Sequence, residues 1–152
     1  MNLELRIPPP VVVVIFAIAM WLVAIFLPGF GFWVAGSWIF ALALAFAGFV
    51  VAMMGADQFK KAQTTRDPTK PENASSLVTT GIFRRSRNPM YLGLLLLLTG
   101  WAIYLSNILN VVLLAGFVAY MTRFQIKPEE RVLFEKFGAD YQTYRQQVRR
   151  WL

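Results

Sequence analysis

VVVVIFAIAMWLVAIFL, residues 11–27, and FWVAGSWIFALALAFAGFVVAMM, residues 32–54, decide the fold of this chain. They fill most of the interval between Arg6 and Asp57, a run of about fifty residues without a single charge. A second uncharged interval, about thirty-five residues long, separates Arg87 from Arg123. A membrane-spanning helix needs roughly 20 apolar residues, so each interval has room for two. The expected architecture is all-α: a polytopic membrane protein with about four transmembrane helices, at 11–27, 32–54, 90–105 and 108–124. A cytoplasmic loop is expected over 57–88 and a C-terminal amphipathic helix over 129–151, all within one domain, 1–152.

Composition agrees. The chain has 152 residues, 57% hydrophobic and 15% charged, against about 25% charged in soluble proteins. Such a chain is neither disordered nor a typical water-soluble globule. The formal net charge of +7 by itself suggests a nucleic-acid partner, but every Lys and Arg falls in the N-terminus, the central loop or the C-terminal segment. The short connections at Pro28–Gly31 and Ser106–Asn110 carry none. With four spans, the three charged segments share one side, and positive-inside bias makes that side cytoplasmic. Both termini are therefore expected in the cytoplasm, with the chain integral to a bacterial inner membrane and not bound to nucleic acid. The first span is not read as a signal peptide: no small-residue cleavage site follows it, and a second apolar segment begins at once.

The chain has no cysteine and no histidine. This removes disulfides, thiolate nucleophiles, the commonest metal ligands and the usual general base, and no metal site is expected. Chemistry is left to carboxylates, Arg, Lys, Tyr, amides and backbone, or to a cofactor with its own reactivity. A transporter is poorly supported, because the spans contain no charged residue, save Arg123 at the very end of the fourth, to line a pathway.

Local signals refine the layout. Pro8-Pro9-Pro10 opens the first span and Pro28-Gly29 closes it. In the second, Ala41 and Ala45, and Gly48 and Ala52, lie four apart on one helix face, which permits close helix contact; intramolecular packing is the simpler explanation and homo-oligomerisation the alternative. Pro68 and Pro71 break the central loop, and Thr79-Thr80-Gly81 reads as a turn. Beyond Pro128, apolar residues at Leu133, Phe137, Tyr141, Tyr144 and Val148 mark an amphipathic helix. It either lies on the headgroups or folds over the cytoplasmic ends of the bundle, and Gly138 is expected to bend it.

Two places bring polar groups to the membrane surface. Arg87-Asn88-Pro89-Met90-Tyr91 stands at the mouth of the third span, where Asn88 also suits an N-cap and Pro89 a first helical position. Pro128-Glu129-Glu130 follows the fourth span, where two acids also favour a helix start. Arg84, Arg85 and Arg87 read most simply as a phospholipid anchor. A helical hairpin carries both polar groups to the same edge.

Leu77-Val78-Thr79-Thr80-Gly81-Ile82-Phe83, Arg87-Asn88-Pro89-Met90-Tyr91-Leu92-Gly93, and Glu129-Glu130 followed by Phe137-Gly138, Tyr141, Tyr144 and Arg150-Trp151 form an ordered set over about the last ninety residues. The set resembles the isoprenylcysteine carboxyl methyltransferase family, to which phospholipid N-methyltransferases look related. The resemblance implies an integral membrane enzyme that uses S-adenosylmethionine to methylate a lipophilic or membrane-embedded small substrate: a carboxylate, amine or thiol. It further implies that Ser75, Ser76, Leu77, Val78, Phe83, Asn88, Pro89, Met90 and Tyr91 form most of the cofactor pocket, and that Glu129 and Glu130 match the acidic pair that closes it. Eukaryotic members carry histidine where this chain has Asn88. They also carry a substrate-contacting arginine four positions before the first acid, where this chain has Gln125 between Arg123 and Lys127. Arg123 joins Glu129 and Glu130 as the expected catalytic set. Glu129 is expected nearer the substrate, with Glu130 supporting the loop or the cofactor ammonium through Arg84, Arg85 or Arg87. The competing class is a non-enzymatic membrane bundle acting as an assembly factor or partner subunit.

Overall fold

The computed structural model describes residues 4–33, 35–64 and 71–152; Pro68 and the loop cations Arg66 and Lys70 lie outside them. Among the described residues the fold is helical, without a named strand. The main helices are α1 (Pro9–Phe26), α2 (Ser37–Lys61), α3 (Pro89–Leu105), α4 (Asn110–Met121) and α5 (Lys127–Gln147). Proline sets several of the boundaries. Pro9 and Pro89 stand at the first positions of α1 and α3, where a missing N–H costs nothing. Pro28 forces Leu27 out of the helical region, to φ −126° and ψ 57°, which ends α1.

The second helix departs from expectation at both ends. It starts at Ser37 instead of near residue 32 because the two short connections pair with each other. Gly31 and Asn107 form an antiparallel bridge, the Phe32 N–H donates to the Ser106 carbonyl at 2.8 Å and the Ile108 N–H to the Phe30 carbonyl at 3.1 Å. Asn107, buried, closes the pair by donating to the Leu27 carbonyl at 3.0 Å. At the other end α2 runs on to Lys61, so residues 57–61 belong to a helix and not to the loop. Charge does not break a helix, and Lys60 and Lys61 in the last turn suit the negative end of its dipole. Asp57 and Lys61, one turn apart, pair at 2.6 Å on the surface, a contact of little energetic weight.

The closest helix pair is α2 with α3. A Cβ on Gly48 would lie 2.5 Å from the Gly93 carbonyl oxygen, and one on Gly93 would lie 2.5 Å from that of Gly48. Ala52 crowds the same contact at 2.9 Å. The small-residue face of α2 is thus spent on intramolecular packing, with backbones too close for any side chain between them. Behind this pair, Val12, Val13, Met20, Tyr91, Leu98, Ala102, Phe117, Met121 and Ile126 make one buried cluster. Phe16 and Phe117 meet edge to face within it, their ring centroids 5.6 Å apart, and the Trp101 indole donates to the Ala17 carbonyl at 3.0 Å.

Helices α1 and α2 have the length and apolarity of membrane spans. They expose Val14, Ile15, Ile18, Phe40, Leu42, Phe46 and Phe49, a surface that belongs against lipid. Helix α3, with 17 residues, and α4, with 12, are shorter than the first two.

Instead of turning into a separate amphipathic helix, α4 continues through a π-helical stretch, Thr122–Ile126, into α5. The bend comes later, at Gly138, with φ 48° and ψ −118°, a conformation open to glycine at little steric cost. The kink turns the second half of α5 back over the bundle, so that Tyr141, Tyr144 and Val148 pack with Val78 and Phe83 of the central loop. Helix α5 ends at Gln147, and Val148 is extended, with φ −124° and ψ 132°. The expected helix to residue 151 is cut short because the tail's backbone is used elsewhere: Arg149 and Arg150 offer their carbonyls to the Arg87 N–H and the Asn88 side chain.

Candidate functional site

The polar corner before α3 is built by Ser86, whose buried hydroxyl accepts the Asn88 N–H at 3.1 Å. Asn88 stands at the N-cap position, but its side chain makes no cap bond. The Nδ2 instead donates to the Arg150 carbonyl at 2.9 Å, tying the mouth of α3 to the C-terminal tail. The Tyr144 hydroxyl donates to the Phe83 carbonyl at 2.8 Å, and the Trp151 indole reaches the Thr122 hydroxyl at 3.2 Å. Loop, α3, α5 and tail are therefore closed into one frame.

Inside that frame lies a cavity of about 310 Å³, within the size range of small-molecule and cofactor sites. Its walls carry Ser76, Leu77, Val78, Phe83, Asn88, Pro89, Met90, Tyr91, Glu129 and Glu130. Eight of the nine residues expected at the cofactor thus face one space, together with both acids. Ser75 does not line it: its N–H and hydroxyl turn to the Thr64 hydroxyl and the Gln63 carbonyl at the end of α2. Arg123 does not line it either. It is exposed and pairs with Glu4 at 3.3 Å. Gln125, fully buried, donates to the Ile7 carbonyl at 2.7 Å and so ties down the N-terminal segment.

The adjacent glutamates have different surroundings, because neighbouring helix residues point about 100° apart. Glu130 accepts a two-pronged contact from Arg150, at 3.0 and 2.7 Å, and pairs with Arg87 at 3.0 Å. Of the three loop arginines, Arg84 and Arg85 are exposed, while the Arg87 side chain is only 8% exposed. Its Nε and Nη1 are buried without a partner among the described residues. Glu129 receives the Tyr91 hydroxyl and makes no ion pair among the described residues. Burial pushes the Glu129 carboxyl up to about 8; the bond from Tyr91 opposes this shift and the Glu130 charge adds to it. At neutral pH it is mostly protonated. Tyr141, in the same wall, is held up at about 12 by burial and by Glu130, against the pull of Arg87, Arg145 and Arg150.

Sequence reasoning left out Arg87 and Arg150 as site residues, and with them the cavity-lining Phe59, Leu133, Tyr141 and Tyr144. Arg87 carried a signal, since it begins the Arg87–Tyr91 run, but an arginine in a basic loop looks like a lipid anchor until its burial is known. Arg150 carried one too, in the Arg150-Trp151 pair, but nothing in that pair pointed to Glu130 as its partner.

The Glu129 shift has a sign that can be checked. A carboxyl whose folded value lies above its unfolded one stabilises the fold at low pH. That contribution is fully present below the unfolded value of about 4.3 and is lost as pH rises through about 8. The melting temperature of the protein should therefore fall between about pH 5 and pH 9. Glu129→Gln, which stays neutral and can still accept from Tyr91, should flatten that fall and melt higher than the unaltered protein at pH 9. Parallel curves for the two proteins would show that Glu129 ionises freely.

Comparison with known proteins gives this geometry a context. The phospholipid methyltransferase family matches over residues 36–140. An uncharacterised protein of Haemophilus influenzae is 46% identical over 63 residues, covering 41% of this chain and all of that protein. The protein-S-isoprenylcysteine O-methyltransferase of Saccharomyces cerevisiae is 36% identical over 83 residues, 53% of this chain and 34% of that enzyme, so the matched stretch spans about a third of the yeast protein. No solved structure matches. With more than two thirds of its length inside the match, from the start of α2 through the kink of α5, the chain belongs to the phospholipid methyltransferase family.

Proposed function

We propose that this chain transfers a methyl group from S-adenosylmethionine to a lipophilic or membrane-embedded carboxylate, amine or thiol at the cytoplasmic face of the membrane. One observation carries the reading. The cavity wall holds a buried guanidinium, Arg87, whose Nε and Nη1 have no partner among the described residues, together with a carboxyl, Glu129, that makes no ion pair among them and receives only the Tyr91 hydroxyl. An unpaired buried donor costs about 1–3 kcal/mol, so a ligand carboxylate at Arg87 would offset that cost. A ligand cation near Glu129 would favour its ionised form. The amino-acid end of S-adenosylmethionine is a zwitterion with those two charges. Phe83, Leu77 and Val78 offer an apolar wall for its adenine.

S-adenosylmethionine supplies an electrophilic methyl on a sulfonium, so the protein's task is in-line positioning in a dry site. No His or Cys is needed for that. Pro9, Pro10, Ala52 and Leu94 form the cavity's apolar side, toward α1, α2 and α3, which favours a substrate arriving from the lipid. Glu129, held by Tyr91, is the candidate to accept a proton from an amine or thiol substrate once a bound cation has ionised it. The family and the yeast relative support methyl transfer; the cofactor and the substrate class are inferred from the cavity, and the membrane face from the placement of Lys and Arg.

A ligand pair tests the site without relying on activity. S-adenosylhomocysteine carries the amino-acid end and methylthioadenosine lacks it. In calorimetry the unaltered protein should bind the former at least about tenfold tighter, since a charge-assisted hydrogen bond is worth roughly 1.5–3 kcal/mol. Arg87→Gln should erase most of that preference while leaving methylthioadenosine binding little changed. Failure of the unaltered protein to bind either compound, or S-adenosylmethionine itself, at millimolar concentration would favour a non-enzymatic subunit.

We also propose four membrane crossings with both termini cytoplasmic. Helix α3, and α4 taken with its π-helical extension to Ile126, each have 17 residues, at the lower limit for a span. The uncharged paired connections at 28–31 and 106–108 support an outer side. In the naturally cysteine-free chain, single cysteines at Phe30 and Ile108 should react with an impermeant reagent from outside. Cysteines at Gln63 and Leu152 should react only after the membrane is opened. Labelling of Gln63→Cys and Ile108→Cys from the same side would overturn the topology.

A further inference from the structure

Glu130 lines not only the cavity but also a second, open cleft of about 420 Å³. Five cations converge there from four stretches of chain: Arg123 in the π-helical stretch, Lys127 and Arg131 before the kink, Arg145 after it, and Arg150 in the tail. Arg123, Lys127 and Arg131 follow one another at intervals of four, which sets them in a row on one face of the rod that continues α4. The row begins just beyond Met121, the last residue of that apolar helix. The cleft's own carboxylates, Glu130 and Glu135, are fewer than its cations. Glu130 is already engaged by Arg150 and Arg87, and Glu4 bridges Arg123 and Arg131. Lys127 and Arg145 make no ion pair among the described residues and are exposed.

Orientation bias alone accounts for cations spread around a cytoplasmic helix end, as with Lys60, Lys61, Arg84 and Arg85. It does not account for five of them converging on one concavity, where Glu4, Glu130 and Glu135 still leave an excess of positive charge that repels itself unless a further anion joins it. We infer that this cleft binds the phosphate of an anionic lipid headgroup, distinct from the methyl-transfer cavity behind Glu130. Guanidinium forks and a lysine ammonium suit phosphate oxygens. A lipid is favoured over a free phosphate by two features: the row starts within a turn of apolar α4, and Phe134, half exposed in the cleft wall, offers an apolar contact that a bare anion would not use.

The full chain, purified in uncharged detergent, should bind dihexanoyl phosphatidic acid more tightly than either dihexanoyl phosphatidylcholine or inorganic phosphate. The double variant Lys127→Gln/Arg145→Gln, outside the proposed methyl-transfer machinery, should weaken phosphatidic acid binding by about tenfold or more, as two cations near a phosphate surface would. Arg84→Gln/Arg85→Gln removes the same charge elsewhere and should change it less than about twofold. Equal losses in the two double variants would reduce the cleft to general surface charge. Inorganic phosphate binding as tightly as the lipid would also overturn the proposal, as would no phosphatidic acid binding at millimolar concentration. S-adenosylhomocysteine binding, measured alongside, reports on the cavity separately.

Discussion

The cavity depends on one carboxylate. Glu130 is 13% exposed and sits between Arg87, 8% exposed, and Arg150, 30% exposed. Three segments distant in sequence meet at its two oxygens: α5, the central loop and the tail. Taking charges out of water is costly, and a buried pair is worth keeping only where the geometry and the remaining hydrogen bonds are good. Here the Arg150 fork is two-pronged and the Arg87 backbone is held independently by the Arg149 carbonyl at 3.0 Å. Removing one member would strand the others, a change of about 3–5 kcal/mol in comparable buried pairs. The Asn88 and Trp151 hydrogen bonds depend on the tail lying where Arg150 is anchored, and the Tyr144 bond joins α5 to the loop beside them.

That anchoring lets neighbouring acids divide their roles. With Glu130 saturated by guanidinium groups, Glu129 faces the cavity with only the Tyr91 hydroxyl, and burial keeps it largely neutral at pH 7. Arg87 spends one end of its guanidinium on Glu130 and leaves Nε and Nη1 unused. The site thus holds an unspent positive group and an acid ready to ionise, in a setting where electrostatic interactions are strong.

Much of this fold was legible in the sequence. Proline fixed the starts of α1 and α3, Gly138 marked the bend, and the small residues of α2 announced a close helix contact. Eight of the nine residues expected at the cofactor face the cavity because they lie on two short runs, 76–78 and 88–91, with Phe83 between them. What sequence could not reveal depends on tertiary pairing. The α2 start is delayed by a bridge to residue 107. Asn88 gives up its capping bond for a carbonyl 62 residues away. Ser75 and Arg123 turn away from the cavity, toward Thr64 and Glu4, partners that only the tertiary fold brings near. Arg87 and Arg150 belong to the ordered motif set, but sequence did not separate their role from that of the other loop and tail cations until a shared buried partner set them apart.

A double-mutant cycle on Glu130→Gln and Arg150→Gln, read as the free energy of unfolding in detergent, tests the clamp most directly. If Glu130 holds the tail and loop together, each single change is costly and the second costs little once the first is made. The coupling should be about 2 kcal/mol or more, within the range of residues sharing one buried network. Losses that simply add, to within about 0.5 kcal/mol, would show that the pair contributes nothing jointly and would contradict the account.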